Sequence, residues 1–284
     1  MPTGHRFLAT DLHQFVVSLF THLGSTPGEA TLVADHLIAA NLAGHDSHGV
    51  GMIPSYVKSH AGGFLQLNRH ATVTKDAGAV VTLDGNAGFG QVVAHEAMQL
   101  GIEKAKQHGM AAIALRNAHH VGRIGYWAEQ CAAAGLISIH FVSVIGDPMV
   151  APFRGKDSRF GTNPLCVVFP RAGHPPLLLD YATSAIAFGK DAIFNCMTTV
   201  ILRPDAFDAP DSQAQTEAFI AWCKQSPHDA DAPVLAPGEW EAANREARLA
   251  QGIPLDAGSW QAICAAARDV GLSESHFDRC RPLA

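Results

Sequence analysis

The chain has 284 residues, 48% of them hydrophobic and only 16% charged, with a net charge of -6; that supplies a sizeable core in one large domain or two smaller ones. Without clustered Lys and Arg a nucleic-acid partner is not expected, and no window has the unbroken apolar length that crosses a bilayer. The N-terminal MPTGHRFLATDLHQF lacks the apolar core of a signal peptide, so a cytoplasmic location is expected.

In chain order, Thr10 can cap a first helix carrying Leu12, Phe15, Val16, Leu19, Phe20 and Leu23 at three- and four-residue spacing, closed by Gly24. A second helix follows Ser25-Thr26-Pro27 and runs into the polar segment His45 to Gly49. From about residue 72 short β-like runs alternate with helices: strands over 79–83, 111–115, 137–142, 165–169 and 177–179, and helices over about 91–108 and 124–134. Strands interleaved with helices predict an α/β sheet domain. After about Pro204 the pattern is helical again over 212–224, 239–251 and 259–270. The expected division is a helical subdomain from both termini, residues 1–71 plus 204–284, around an α/β domain of 72–203. The six cysteines lie far apart with no CxxC, and read as small core residues.

Several segments could carry chemistry. Gly85-Asn-Ala-Gly88-Phe-Gly90 lies between a strand and a helix, but its order is G-x-x-G-x-G and Arg116 and Asn117 end the next strand. That is the wrong pattern for a Rossmann dinucleotide turn and reads as a plain strand-to-helix turn. His45-Asp46-Ser47-His48-Gly49 sets two imidazoles and a carboxylate after a helix, suited either to proton handling or to a polar helix end. Asn117-Ala-His119-His120-Val-Gly122-Arg123 follows a predicted strand, where ligands sit in α/β sheets. There a histidine can act as acid or base beside an anion-binding helix start, or simply occupy a loop. Gly161 to Pro164 and Asp180 to Ser184 also stand at strand ends and read as turns or as ribose- and phosphate-holding loops. The sixteen histidines invite a zinc reading. The pairs His45/His48 and His119/His120 lack matched further ligands, so no metal is expected.

Taken together, AANLAGHDSHGVGMIPSYV, LDGNAGFGQ, NAHHVGRIGYWAEQ, GDPMVAPF, RFGTNP, LLLDYATSAIAFGK, APGEWE and GIPLDAGSW resemble the malate/L-lactate dehydrogenase family, non-Rossmann NAD(P)-dependent oxidoreductases. Within it the chain most resembles bacterial hydroxycarboxylate dehydrogenases that reduce hydroxyphenylpyruvate and similar 2-oxo acids. The resemblance implies a mixed sheet flanked by helices, NAD or NADP as cofactor, and a homodimer. It implies that His120 is the general acid and that His48 lies beside nicotinamide and substrate. The backbone of Gly122, Arg123 and Ile124, the run Leu178, Leu179, Asp180, Tyr181 and Ala182, and Pro237, Gly238 and Glu239 would contact the dinucleotide. Met52, Arg123 and Thr162 would meet the substrate.

Two departures stand out. Many relatives carry Arg where Met52 stands, so a forked contact to a substrate carboxylate is lost and a more apolar substrate, such as an aryl pyruvate, is expected. After Lys190 several dozen residues of the family pattern are absent. Two alternatives therefore stay open: a zinc hydrolase using His45, His48, His119 and His120, and an inactive, internally deleted remnant.

Overall fold

A computed structural model describes residues 5–146, 148–184, 192–208 and 211–283. The chain opens with strand β1 (His5–Phe7), helix α1 (Ala9–Leu23) and helix α2 (Pro27–Leu42). Helix α1 begins directly after Leu8, so Thr10 lies inside the first turn and is not the cap. Gly24 ends it in the left-handed region, as expected. In α2, Thr26 accepts the Glu29 amide and Pro27 occupies the first turn, where its missing N–H costs nothing. Two short 3-10 turns, Asp46–His48 and Val50–Met52, lead into α3 (Ile53–Ala61).

The sheet elements are β2 (Thr72–Ala77), β3 (Val80–Asp84), β4 (Met110–His119), β5 (Ile137–Gly146), β6 (Leu165–Phe169), β7 (Leu177–Tyr181) and β8 (Ala192–Leu202). Helices α4 (Gly90–His108) and α5 (Ile124–Ala133) are interleaved with them. The spatial order is β2-β3-β4-β8-β5-β6-β7. Strands β3 and β4 run parallel, whereas β8 pairs antiparallel with both β4 and β5 at the centre. The expected non-Rossmann mixed sheet flanked by helices is the architecture found. The chain then continues through α6 (Ser212–Lys224), α7 (Glu239–Gln251), β9 (Ile253–Leu255), α8 (Ala257–Asp269) and α9 (Glu274–Arg279).

Both chain ends meet: β1 pairs with β9, His5 opposite Leu255. One apolar core joins α1, α2 and α3 to α8, with Phe7, Phe15, Phe20, Tyr56 and Ile263 among its buried members. A second lies between the sheet and α4 and α5, around Trp127, Met98, Ile113 and Val168. Helix α6 is tied elsewhere, Arg171 forking onto Glu217 at 2.6 and 2.8 Å. Cross-strand partners place Phe141, Leu165 and Tyr181 on one face of the sheet and His140, Cys166 and Asp180 on the other. The second face is the helix-covered one, and Phe141, Ile145, Leu179 and Tyr181 on the first are exposed.

Candidate active site

Strand β4 runs to His119, four residues beyond the expected end, with a register break between Leu115 and Ala118 and Asn117 at φ +51. His119 is thus part of the strand and His120 is the first residue past it. The glycine turn explains how this end is held. Gly85 N–H donates to the Arg116 carbonyl, Ala87 N–H to that of Asn117, and His119 N–H to that of Gly88. A Cβ on Gly90 would stand 2.2 Å from the His120 carbonyl oxygen. The glycines let the start of α4 lie directly against the backbone of the two histidines, a close approach that a side chain would block. Past His120, Val121 N–H donates to Asn195 Oδ1 at 2.9 Å, Trp127 Nε1–H to the Val121 carbonyl at 2.9 Å, and Gly122 (φ +72) has no room for a Cβ beside His36.

His120 is 4% exposed. Its Nδ1 lies 2.8 Å from Tyr56 Oη, and Gln91 Nε2 donates to the same hydroxyl at 2.8 Å. The His48 ring stacks on His120, centroids 5.5 Å apart and planes 26° from parallel. The His119 ring also lies edge-on to Tyr56, centroids 5.6 Å apart, but its Nε2 is 2.8 Å from Ser59 Oγ. The His48 segment is clamped from α7: Arg248 forks onto Asp46 at 2.6 and 3.0 Å, and His45 lies 3.3 Å from Glu241. Burial drives these imidazoles toward the neutral form: His48 and His119 to about 4, and His120 well below its ordinary 6.5. Behind them His36 is pushed down to about 3 by the same cause.

This gives a pH expectation. A histidine whose folded pKa is depressed binds its proton more readily in the unfolded chain. The folded state therefore carries no penalty above about pH 6.5, and loses stability as pH falls from 6.5 toward the depressed values of about 3 to 4. Urea midpoints measured between pH 7.5 and 5 should decline on the acid side; a flat profile there refutes the buried neutral cluster.

A cavity of about 260 Å³ opens beside His48 and is lined by His45, Gly122, Arg123, Ile124, Thr162, Pro164, Asp180, Tyr181 and Ala182. The sequence-predicted residues His48, Gly122, Arg123, Ile124, Thr162, Asp180, Tyr181 and Ala182 thus come together. Arg123 is 2% exposed and meets Glu129 at 2.7 Å, while its Nε and Nη1 atoms have no hydrogen-bond partner among the described residues. The expected anion place at the start of α5 is taken by the protein itself: Gly125 N–H donates to Asp180 Oδ2 at 2.8 Å. A second groove of about 760 Å³ follows the same seam between α5 and β7, lined by Glu129, Pro176, Leu178, Gly238, Glu241, Arg245 and Leu249 among others.

Five predicted residues are not on the walls of either cavity: His120, which stacks on the cavity-lining His48, and Pro237, Glu239, Leu179 and Met52. Pro237 gives its carbonyl to Leu178 N–H, Glu239 pairs with Lys224 at 2.5 Å and caps the Ala236 amide, and Leu179 sits on the exposed sheet face. Met52 is corrected most sharply. It is 1% exposed inside the core of α1, α2 and α3, where its turn sends it away from the cavity. Conversely, Tyr56, Gln91 and Asn195 were not singled out in the sequence. The only signal was that Tyr56 and Gln91 lie within motifs quoted for His48 and the glycine turn.

Among the described residues no three of His, Cys, Asp and Glu are arranged to hold a metal ion. The four histidines of the zinc reading are each engaged with a different partner: Glu241, Ser47, Ser59 and Tyr56.

Known proteins give the same picture. The malate/L-lactate dehydrogenase family pattern matches residues 7–195 and 190–264. Hydroxycarboxylate dehydrogenase B of Escherichia coli K12 is 54% identical over 360 aligned positions, covering all of both chains. That alignment exceeds the 284 residues present here, so several dozen of its positions have no counterpart. The two family matches meet at 190–195, where the gap after Lys190 is expected; Lys190 itself lies outside the described residues. A solved E. coli structure of the malate/lactate dehydrogenase type superposes with a TM-score of 0.93 at 53% identity, covering 97% of this chain and 98% of that one. Malate dehydrogenase from Pyrococcus horikoshii superposes at 0.88 with 25% identity, over 95% and 97%. The chain belongs to the malate/L-lactate dehydrogenase family, whose members are oxidoreductases of 2-hydroxy acids.

Proposed function

We propose that this chain interconverts 2-oxo and 2-hydroxy acids with NAD or NADP, His120 moving the proton. The single observation that carries this is His120 itself: buried at a strand end, stacked on a cavity-lining His48, and held at Nδ1 by Tyr56, while its Nε2 has no hydrogen-bond partner among the described residues. A bound nicotinamide supplies or removes the hydride. The two cavities along the seam fit such a group. Asp180 and Thr162 can meet ribose hydroxyls, the unpartnered Arg123 nitrogens a carboxylate or carboxamide oxygen, and the groove by Leu178, Pro176 and Leu249 an adenine face.

Burial holds His120 in the neutral form, which can accept the proton of a hydroxy acid at Nε2 in the tautomer that carries its own proton on Nδ1. In the reductive direction it must first be protonated, and an anionic substrate beside it favours that form. His48, stacked on the ring, keeps water from one side of it. The family resemblance further supports a homodimer working in the cytoplasm; no helix among the described residues is long and apolar enough to cross a membrane. The two separate cores support the proposed division into a terminal helical subdomain and a central α/β domain.

For the substrate we favour aryl pyruvates such as hydroxyphenylpyruvate. Since Met52 is not on the wall, the support comes from elsewhere: Ile124, Pro164 and Tyr181 are the apolar side of the cavity, and Arg123 is the one Lys or Arg among its described lining residues. One guanidinium suits one carboxylate, and a second carboxylate would face Asp180 unpaired. In an assay of nicotinamide absorbance, phenylpyruvate and hydroxyphenylpyruvate should show a kcat/KM at least about tenfold above oxaloacetate. The reverse order rejects the aryl preference, and no absorbance change with any 2-oxo acid rejects the reductase reading.

A further inference from the structure

Gln91, Tyr56 and His120 form a chain with an arithmetic of protons. Gln91 is 1% exposed and Tyr56 fully buried, so neither can turn to water for a missing partner. Gln91 Nε2 donates to Tyr56 Oη at 2.8 Å, and the same oxygen lies 2.8 Å from His120 Nδ1. A phenol has one proton to give. If the amide nitrogen faces Tyr56, the Tyr56 O–H must donate to Nδ1, and the neutral ring carries its proton on Nε2. The far end of the amide, Gln91 Oε1, is buried with no hydrogen-bond partner among the described residues.

The acid-base couple that the proposed reaction needs is different. Transfer at Nε2 runs between imidazolium, protonated on both nitrogens, and the neutral ring protonated only on Nδ1. In both members Nδ1–H must donate to Tyr56 Oη, so the Tyr56 O–H needs an acceptor beyond it. Turning the Gln91 amide over places Oε1 at that position, because the two ends of an amide have the same shape. One unpartnered amide atom is exchanged for another.

We infer that Gln91 and Tyr56 set the tautomer of His120: with the amide nitrogen toward Tyr56 the ring rests with Nε2 protonated, and with the amide oxygen toward Tyr56 it is ready to exchange a proton at Nε2. Both are positioning residues, acting through His120 without touching the substrate. In the working state the proton leaves Nε2 for the nascent hydroxyl oxygen, or returns to it, while Nδ1 keeps its own. Burial pushes the Tyr56 phenol well above its ordinary value, which keeps its proton in place throughout. The inference rests on His120 being the proton-transfer group.

The experiment is nitrogen NMR of the histidine rings in the whole protein, with the His120 signals assigned by their loss in His120→Gln, alongside steady-state kinetics. Free wild-type protein at neutral pH should show His120 protonated on Nε2. Gln91→Glu, which offers only acceptor oxygens when ionised, should move that proton to Nδ1 and raise the pH of the acidic limb of the rate profile. Tyr56→Phe should lower kcat about tenfold to a hundredfold with KM within about threefold. Because the reaction's equilibrium constant is fixed, kcat/KM should fall equally in both directions. An Nδ1-protonated ring in the free wild type overturns the inference. So does an unchanged tautomer in both variants, even if each is less stable. The NMR result stands whether or not the chain turns over, so failure of this inference and failure of the reductase reading are distinguishable.

Discussion

Replacing His120 by Ala should reduce turnover by about 10²- to 10⁴-fold, the usual contribution of one general acid or base, equivalent to roughly 3 to 5 kcal/mol of barrier. Binding of NADH or NADPH should change by no more than about threefold, because the groove along α5 and β7 does not include the His120 side chain. The substitution truncates a ring that is 4% exposed and leaves the Tyr56 hydroxyl with only Gln91. A separate melting curve is therefore needed to show that the variant is folded when it is assayed. His119→Ala is the internal control: its ring faces Ser59, so it should lose far less activity. A His120 variant that turns over within about threefold of wild type removes His120 from the reaction.

How far the sequence foretold this site depended on whether a residue's role is local. Strand β6 and helices α6 and α7 match their expected bounds, because each has its own apolar spacing and stop signals. Strand β2 was missed, since all six of its residues are exposed and no alternation marks it. The central strand β8 was also missed. It is buried on one face by Asn195, Met197, Thr199 and Ile201, a partly polar row that does not advertise a strand at the middle of a sheet. His48 and His120 were legible because imidazole clusters are chemically unusual. Tyr56 and Gln91 were not: they lie 64 and 29 residues from His120 in sequence, and only the packing of α3 and α4 brings them together. Met52 shows the opposite error. Its place in a functional motif suggested a wall, while an unbranched apolar side chain on a short 3-10 turn is buried in the core like its neighbours Val50 and Ile53.

Trp127 should be the most costly single truncation in the α/β half. It is fully buried and stacks on His36 with centroids 5.2 Å apart at 24°, and it meets Tyr126 edge-on at 5.1 Å. Its indole N–H holds the Val121 carbonyl. Trp127→Ala loses the transfer energy of the ring and leaves a cavity between α5 and the sheet, so a destabilisation of about 3 to 5 kcal/mol is expected from urea unfolding with an unchanged slope. The Val121 carbonyl left without a partner adds to that cost. Because the same carbonyl lies one residue past His120, turnover of the surviving folded protein should also fall. Trp127→Phe separates the two effects: it refills most of the volume but cannot donate the hydrogen bond, so its stability loss should be about 1 to 2 kcal/mol while the kinetic defect persists. If Trp127→Ala costs less than about 1.5 kcal/mol, the ring is not the wedge that fixes the loop after β4. If Trp127→Phe has wild-type kinetics, the Val121 contact does not position His120.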